Sequence, residues 1–251
     1  IREYCEADSR FHYLHNQVNS SAWVSRAKGI MAVSERVQYI MFADADDSLQ
    51  PNAVARAYEL MQKEPVDILH FGTNVENIAN ISQKRIQGYT AYLQPELARL
   101  QGREIFDSFV RRSFEGHLWN KMFKVELLQD VIRDLGVERV LPKAQDKVLY
   151  WAACWQWENL TYRGVADRLY NYNYGQGVEG GQNTLTLEQF KQYLAQAWTE
   201  DTIAEIMAMH PEAAAEYAEV MENSRMNLMN HTARNFTRLS SIDKPAGLDL
   251  V

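Results

Sequence analysis

The stretch from Val37 to Pro51 constrains the chain most. An apolar, aromatic-rich run, Val37-Gln38-Tyr39-Ile40-Met41-Phe42, leads straight into Ala43-Asp44-Ala45-Asp46-Asp47, with three carboxylates within four residues. Pro51 and Asn52 then open a helical pattern of Ala53, Val54, Ala57, Leu60 and Met61. The apolar run is too short to define a strand alone, and the helix behind it supplies the support. Strand, acidic turn and helix in this order is how an open α/β sheet holds a ligand at the carboxyl ends of its strands.

Clustered carboxylates repel one another, so a site that gathers three of them normally supplies a cation. Mg²⁺ and Mn²⁺ prefer oxygen ligands and complete their shell with water and substrate phosphates. The competing reading is a solvated acidic turn in which Asp47 or Ser48 caps the next helix. An EF-hand is excluded, because Leu49 and Ala55 stand where its loop needs Gly and Glu.

The 251 residues suit one large domain or one domain with a helical appendage, and 46% apolar content is enough for a substantial core. A net charge of −7 argues against a general nucleic-acid binder, which would carry a basic stripe. No run approaches the roughly 20 apolar residues of a membrane span; Val148 to Trp155 is the richest and is too short. Cys5 and Cys154 form no Cys-x-x-Cys pair, and the histidines show no metal spacing. His12 and His15 are expected to be structural, on a strand over Phe11 to His15.

Asn19, Ser20 and Ser21 offer caps for a helix over about 22 to 34, with Trp23, Ala27, Ile30 and Met31 facing a sheet. Val66 to Gly72 predicts a buried strand, and Lys84 to Tyr92 an irregular one. Helices are expected near 95 to 101 and 102 to 112, then a short strand over His117 to Phe123 and a helix from Val125. Gln145-Asp146 opens a helix to about Trp157, where Asp146 complements the helix dipole if it does nothing more. Leu160 to Arg163 and Arg168 to Tyr174 predict two further strands. The Gly-rich stretch Gly175 to Gly181 lacks the end of a P-loop; it either cradles phosphate through its amides or forms a lid.

Thr186-Leu-Glu-Gln189 is a capping-box pattern, and the apolar stripe after it predicts a helix. Pro211 starts another, from Glu212 to about Asn230. The expected division is a first domain over 1–183 and a helical region over 184–251, with Lys244 to Val251 a loose end.

Five segments in order carry a family resemblance: Ser25-Arg26-Ala27-Lys28-Gly29-Ile30, Asp44-Ala45-Asp46-Asp47, Trp119-Asn120-Lys121, Gln145-Asp146 and Tyr170-Asn171-Tyr172. Across residues 19 to 172 the chain resembles an inverting family 2 glycosyltransferase. The resemblance implies a GT-A fold: a Rossmann-like, open mixed α/β sheet flanked by helices, with a C-terminal helical appendage. It implies a nucleotide-diphosphate sugar donor, a UDP-sugar, contacted by Arg26, Asp44, Asp46 and Asp47, with Asp46 as ligand to Mg²⁺ or Mn²⁺. Trp119, Asn120 and Lys121 would contact a saccharide or lipid-linked acceptor, and Asp146 would be the general base. Ala27 and Gln145 depart from the family's Asn and Glu. The family's first strand, with its base-gripping Asp-Asp-Gly-Ser segment, has no counterpart here, so the chain is expected to begin inside a strand–helix unit and to lack one wall of the donor pocket. Synthesis of a polysaccharide or glycoconjugate on the cytoplasmic side, at the membrane's inner face through other parts or partners, is the implied setting. Two alternatives compete: a haloacid-dehalogenase-like phosphatase with Asp44 as nucleophile, and a non-catalytic interaction module.

Overall fold

A computed structural model describes residues 2–18, 20–78, 81–111, 116–139, 141, 143–156, 159–175 and 184–250. Its elements run α1 (Arg2–Ala7), α2 (Ala22–Met31), β1 (Tyr39–Met41), β2 (Ser48–Leu49), α3 (Ala53–Lys63), β3 (Ile68–Asn77), α4 (Gln83–Tyr92), β4 (Arg99–Gln101) and α5 (Arg103–Arg111). They continue with β5 (Lys121–Lys124), α6 (Val125–Leu135), α7 (Gln145–Gln156), β6 (Thr161–Tyr174), α8 (Leu187–Leu194), α9 (Ala197–Ala208), α10 (Pro211–Glu216), α11 (Ala218–Thr237) and α12 (Lys244–Leu248).

The strands form one mixed sheet in the order β1-β5-β3-β6-β2, with β4 also paired to β6. Its centre is the parallel pair β3 and β6, in register from Ile68↔Tyr162 to Asn77↔Tyr174 with shifts around Gly72. The other pairings are antiparallel. Alternation along β3 divides the core: Ile68 packs with α2, α5, α6 and α7, while Leu69 and Phe71 pack with α3 on the opposite face. Gly164 in β6 lets the segment before β4 press close, since a Cβ there would stand 1.7 Å from the Glu96 carbonyl oxygen.

The helices follow their sequence signals where a long apolar stripe exists. Ser21 caps α2 by accepting from the Val24 amide, and Trp23, Ala27 and Ile30 are buried on one face. Met31, expected on that face, is 37% exposed. Thr186 and Gln189 form the capping box of α8.

Several segments differ from expectation. Residues 11–16 form no strand, and Phe11, Tyr13 and Leu14 are exposed there without a sheet edge to join. Residues 83–92 are helical, with Ile86 the buried member, so the segment carries too little apolar pattern to betray its type. Residues 99–101 pair with β6 instead of continuing a helix, because Pro95 disfavours helical backbone at Gln94 and withholds its own amide. The two strands expected over 160–174 are one strand with bulges. The helix expected from 212 to 230 is broken at Tyr217 and extends to Thr237. Residues 244–248 are not loose: Gly247 seats α12 so closely that a Cβ would lie 2.5 Å from Leu239 Cδ1. The lid or phosphate cradle expected over Gly175 to Gly181 lies outside the described residues beyond Gly175.

The C-terminal helices share the main core, because Ile203, Ile206 and Met207 of α9 pack with α7. Among the described residues no helix is long and apolar enough to cross a membrane.

Candidate active site

The acidic turn lies where β1 runs out of its sheet, and the far half of β6 holds it. The Tyr170 hydroxyl accepts from the Asp44 amide at 3.1 Å and donates to Asp47 Oδ2 at 2.9 Å. The Asn173 amide donates to Asp47 Oδ1 at 2.8 Å, and Asn173 Nδ2 donates to the Asp46 carbonyl at 2.6 Å. Below it, Gln50 Nε2 donates to Asn171 Oδ1 at 2.6 Å beside the β2–β6 ladder. The turn is therefore fixed by backbone and side chains more than 120 residues away in sequence. Tyr170 and Asn173 have no role in the sequence reading. Tyr170 belongs to the strand motif, but nothing local shows which turn it clamps.

The three carboxylates have different surroundings. Asp44 Oδ1 accepts from Arg26 Nη2 at 3.2 Å. Burial raises the Asp47 carboxyl above its ordinary value, against the Asn173 and Tyr170 hydrogen bonds and with help from Asp46 and Asp44. The Asp46 side chain is exposed and has no partner among the described residues. No group of three or more His, Cys, Asp and Glu poised to hold an ion is present among those residues. The free Asp46 carboxylate beside Asp44 and Asp47 fits Mg²⁺ or Mn²⁺ bound in the manner that takes most of its shell from water and substrate phosphate.

Arg26 projects from the buried face of α2 towards the turn, and its Nη1 is buried without a hydrogen-bond partner among the described residues. Its charge also acts on Asp146, at the first turn of α7. Burial alone would raise the Asp146 carboxyl, but His117, Arg26 and the Lys147 amide outweigh it and hold the group below the ordinary carboxylate range. His117 Nδ1 stands 3.8 Å from Asp146 Oδ2, and the Lys147 amide donates to Asp146 Oδ1 at 3.0 Å. Ala144, two residues earlier, takes the left-handed φ of 53° as the chain turns into α7.

Trp119, Asn120 and Lys121 are buried next to His117. The Trp119 ring is 5% exposed and stacks on His117, Tyr170 and Tyr172 at centroid distances of 5.0, 4.6 and 5.5 Å. Asn120 and Lys121 are fully buried, so the direct acceptor contacts expected of them are not made from these positions. Lys121 Nζ donates to the His117 carbonyl at 2.6 Å and to Asn120 Oδ1 at 2.8 Å. An ammonium only donates, so the Asn120 carbonyl faces Lys121 and its NH₂ faces His70. Nε2 of His70 then accepts at 2.9 Å, and its Nδ1–H donates to the Tyr162 hydroxyl at 2.9 Å. This interior chain fixes the backbone that carries His117.

On the other side of Asp146 is a cavity of about 560 Å³, lined also by His117, Lys147, Glu200 and several polar residues of α11. Lys147 Nζ donates to Glu200 Oε1 at 2.6 Å and Ser224 Oγ at 3.1 Å, and Ser224 Oγ donates to Glu200 Oε2 at 2.8 Å. The residue after Asp146 is in this way bolted to α9 and α11.

Among solved structures, residues 1–349 of S. aureus TarS in complex with UDP-GlcNAc superpose with a TM-score of 0.50 at 12% identity, covering 99% of this chain and 73% of that one. A second structure of TarS residues 1–349 gives 0.48 at 12% identity, covering 99% and 72%. At this identity the likeness to the first shows the fold, a GT-A sheet flanked by helices as expected from the sequence. No curated protein matches the chain. The family described as Glycosyl transferase family 2 matches residues 1–132, more than half of the 251. The motif order, the fold and this match agree: the chain belongs to glycosyltransferase family 2.

Proposed function

We propose that this glycosyltransferase moves a sugar from a nucleotide-diphosphate donor, a UDP-sugar, to an acceptor hydroxyl with inversion at the anomeric carbon. The observation that supports the reading is Arg26, whose Nη2 donates to Asp44 in the acidic turn and whose charge helps hold Asp146 ionised. The solved TarS complex with UDP-GlcNAc supports the choice of donor.

Asp146, held ionised at neutral pH, takes the proton of the acceptor hydroxyl as its oxygen attacks the anomeric carbon. The bond to the donor's diphosphate breaks on the opposite face, and the nucleoside diphosphate leaves with that electron pair. Arg26 offers its unpartnered Nη1 to phosphate or base, as a planar guanidinium suits either. Asp44 orients Arg26 and reaches towards the ribose, and Asp47 supports the turn. Mg²⁺ or Mn²⁺ bound at Asp46 would stabilise the charge developing on the leaving diphosphate. Trp119, Asn120 and Lys121 act as positioning residues through His117. The setting we propose is synthesis of a polysaccharide or glycoconjugate on the cytoplasmic side of a membrane.

The test is a screen of UDP-sugars with Mn²⁺, following release of UDP. Wild-type protein is expected to turn over at least one donor, and Asp146→Asn to lose transfer by about 10³-fold with an unchanged melting curve. Normal turnover by Asp146→Asn would remove that residue from the mechanism.

A further inference from the structure

Helix α11 is unlike the other long helices of the molecule. Over its 20 residues the fully buried side chains are Ser224 and Asn235, both polar. Ser224, Asn227, Leu228 and His231 recur at helical spacing and line the cavity that also holds Asp146 and His117. A helix recruited to cover a core presents an apolar stripe inward, because burying amides without partners costs free energy. A polar inward stripe is stable where it faces a wet cleft.

Apolar docking of α11 is confined to its ends, Val220 and Met221 on the main core and Phe236 on a smaller one, and a polar contact holds the middle. Lys147, Glu200 and Ser224 form a closed triangle of hydrogen bonds, with the Lys147 and Glu200 side chains 13% and 6% exposed. That triangle satisfies the Glu200 charge, leaving Asp146 as the carboxylate of the cavity wall that has not been neutralised by a lysine. Asn227 and Asn230 are exposed on the same wall. Each amide carries both donors and an acceptor, the complement of neighbouring hydroxyls on a sugar or polyol.

We propose that α11 is the acceptor-reading element of the enzyme, with Asn227 and Asn230 binding a neutral, hydroxyl-rich acceptor beside Asp146. This rests on the reading of Asp146 as the base, and it assigns the acceptor subsite to the C-terminal helices. The triangle explains how one element serves both purposes, since it locks the acceptor wall to the residue next to the base.

The experiment is saturation-transfer NMR with methyl β-glucoside, methyl β-galactoside and methyl β-N-acetylglucosaminide, in the presence of UDP and Mg²⁺. At least one glycoside is expected to bind saturably to the wild-type protein. Asn227→Ala with Asn230→Ala is expected to weaken that binding about tenfold or more, as loss of two hydrogen bonds implies. Asn230→Ala alone should give an intermediate loss, and Met229→Ala, which lies outside the cavity lining, none. No saturable binding of any glycoside, or unchanged binding by the double variant, overturns the proposal. Release of UDP from UDP-sugars by the wild-type protein tests the catalytic reading separately, so a failure of either one is told from a failure of the other.

Discussion

Asp67 and the Asp44–Asp47 turn sit at different places on one sheet and use the same side chain in opposite ways. Asp67 Oδ2 accepts from the Thr161 amide and hydroxyl at 2.8 and 2.5 Å, and Oδ1 pairs with Lys124 at 2.8 Å. Burial raises this carboxyl, but Lys124 and Thr161 overcome it and hold it below the ordinary value. At Asp47 burial wins, and the carboxyl is raised. Asp46 keeps its oxygens free of protein partners among the described residues. A carboxylate whose lone pairs are filled braces three strands; one left unfilled is available to a ligand.

That contrast can be broken by exchanging the readouts. Asp46→Ala should cost about 10²-fold or more in transfer, the usual scale for losing one charge-stabilising group, while urea unfolding stays within about 0.5 kcal/mol of wild type. A comparable loss of stability would show that Asp46 also braces the sheet. Asp67→Ala should do the reverse, lowering stability by about 2–3 kcal/mol in a denaturant titration, because Lys124 and Thr161 lose their acceptor. The pH dependence follows in sign. A folded-state pKa below the unfolded value of about 3.9 means that Asp67 stabilises fully above about pH 5 and loses its contribution as pH falls through the folded value. Asp67→Asn should therefore flatten the acid limb of a stability profile, and an unaltered limb would contradict the brace.

Tyr170→Phe sharpens the comparison with a smaller effect. It deletes the donor to Asp47 and the acceptor of the Asp44 amide, so a loss of about 1–2 kcal/mol is expected together with weaker UDP binding by calorimetry. Equal UDP affinity would show that the clamp does not shape the turn. The smallest effect belongs to Ala144→Gly, which relieves a left-handed backbone at a cost to the unfolded chain and should stabilise by about 1 kcal/mol or less. A large destabilisation would place the methyl group in packing that supports Asp146.

How much could be read in advance depended on whether a feature was local. Asp44 to Asp47 stood out because three carboxylates follow an apolar run, and α7 because Gln145-Asp146 precedes a long apolar stretch. The capping box of α8 is a four-residue pattern and needed no tertiary knowledge. β4 was missed because three residues of alternating exposed and half-buried character exist as a strand only through their pairing with β6. The same limit hid Tyr170 as the clamp of the turn, since only the fold brings residue 170 to residue 47. The polar side of α11 was hidden for the same reason, since only the fold brings Ser224 to Lys147 and Glu200.

The pairing of β3 with β6 also has a consequence in time. The amide that fastens Asp47 belongs to Asn173, a separation of 126 residues. At the usual pace of about 5–20 residues per second, a ribosome needs roughly 6–25 s to supply the second partner after the first. Until then the nascent acidic loop lacks the Tyr170 and Asn173 contacts that clamp Asp47. The acidic turn is therefore closed late, and a pause or truncation in synthesis before residue 173 leaves the loop without its fastening.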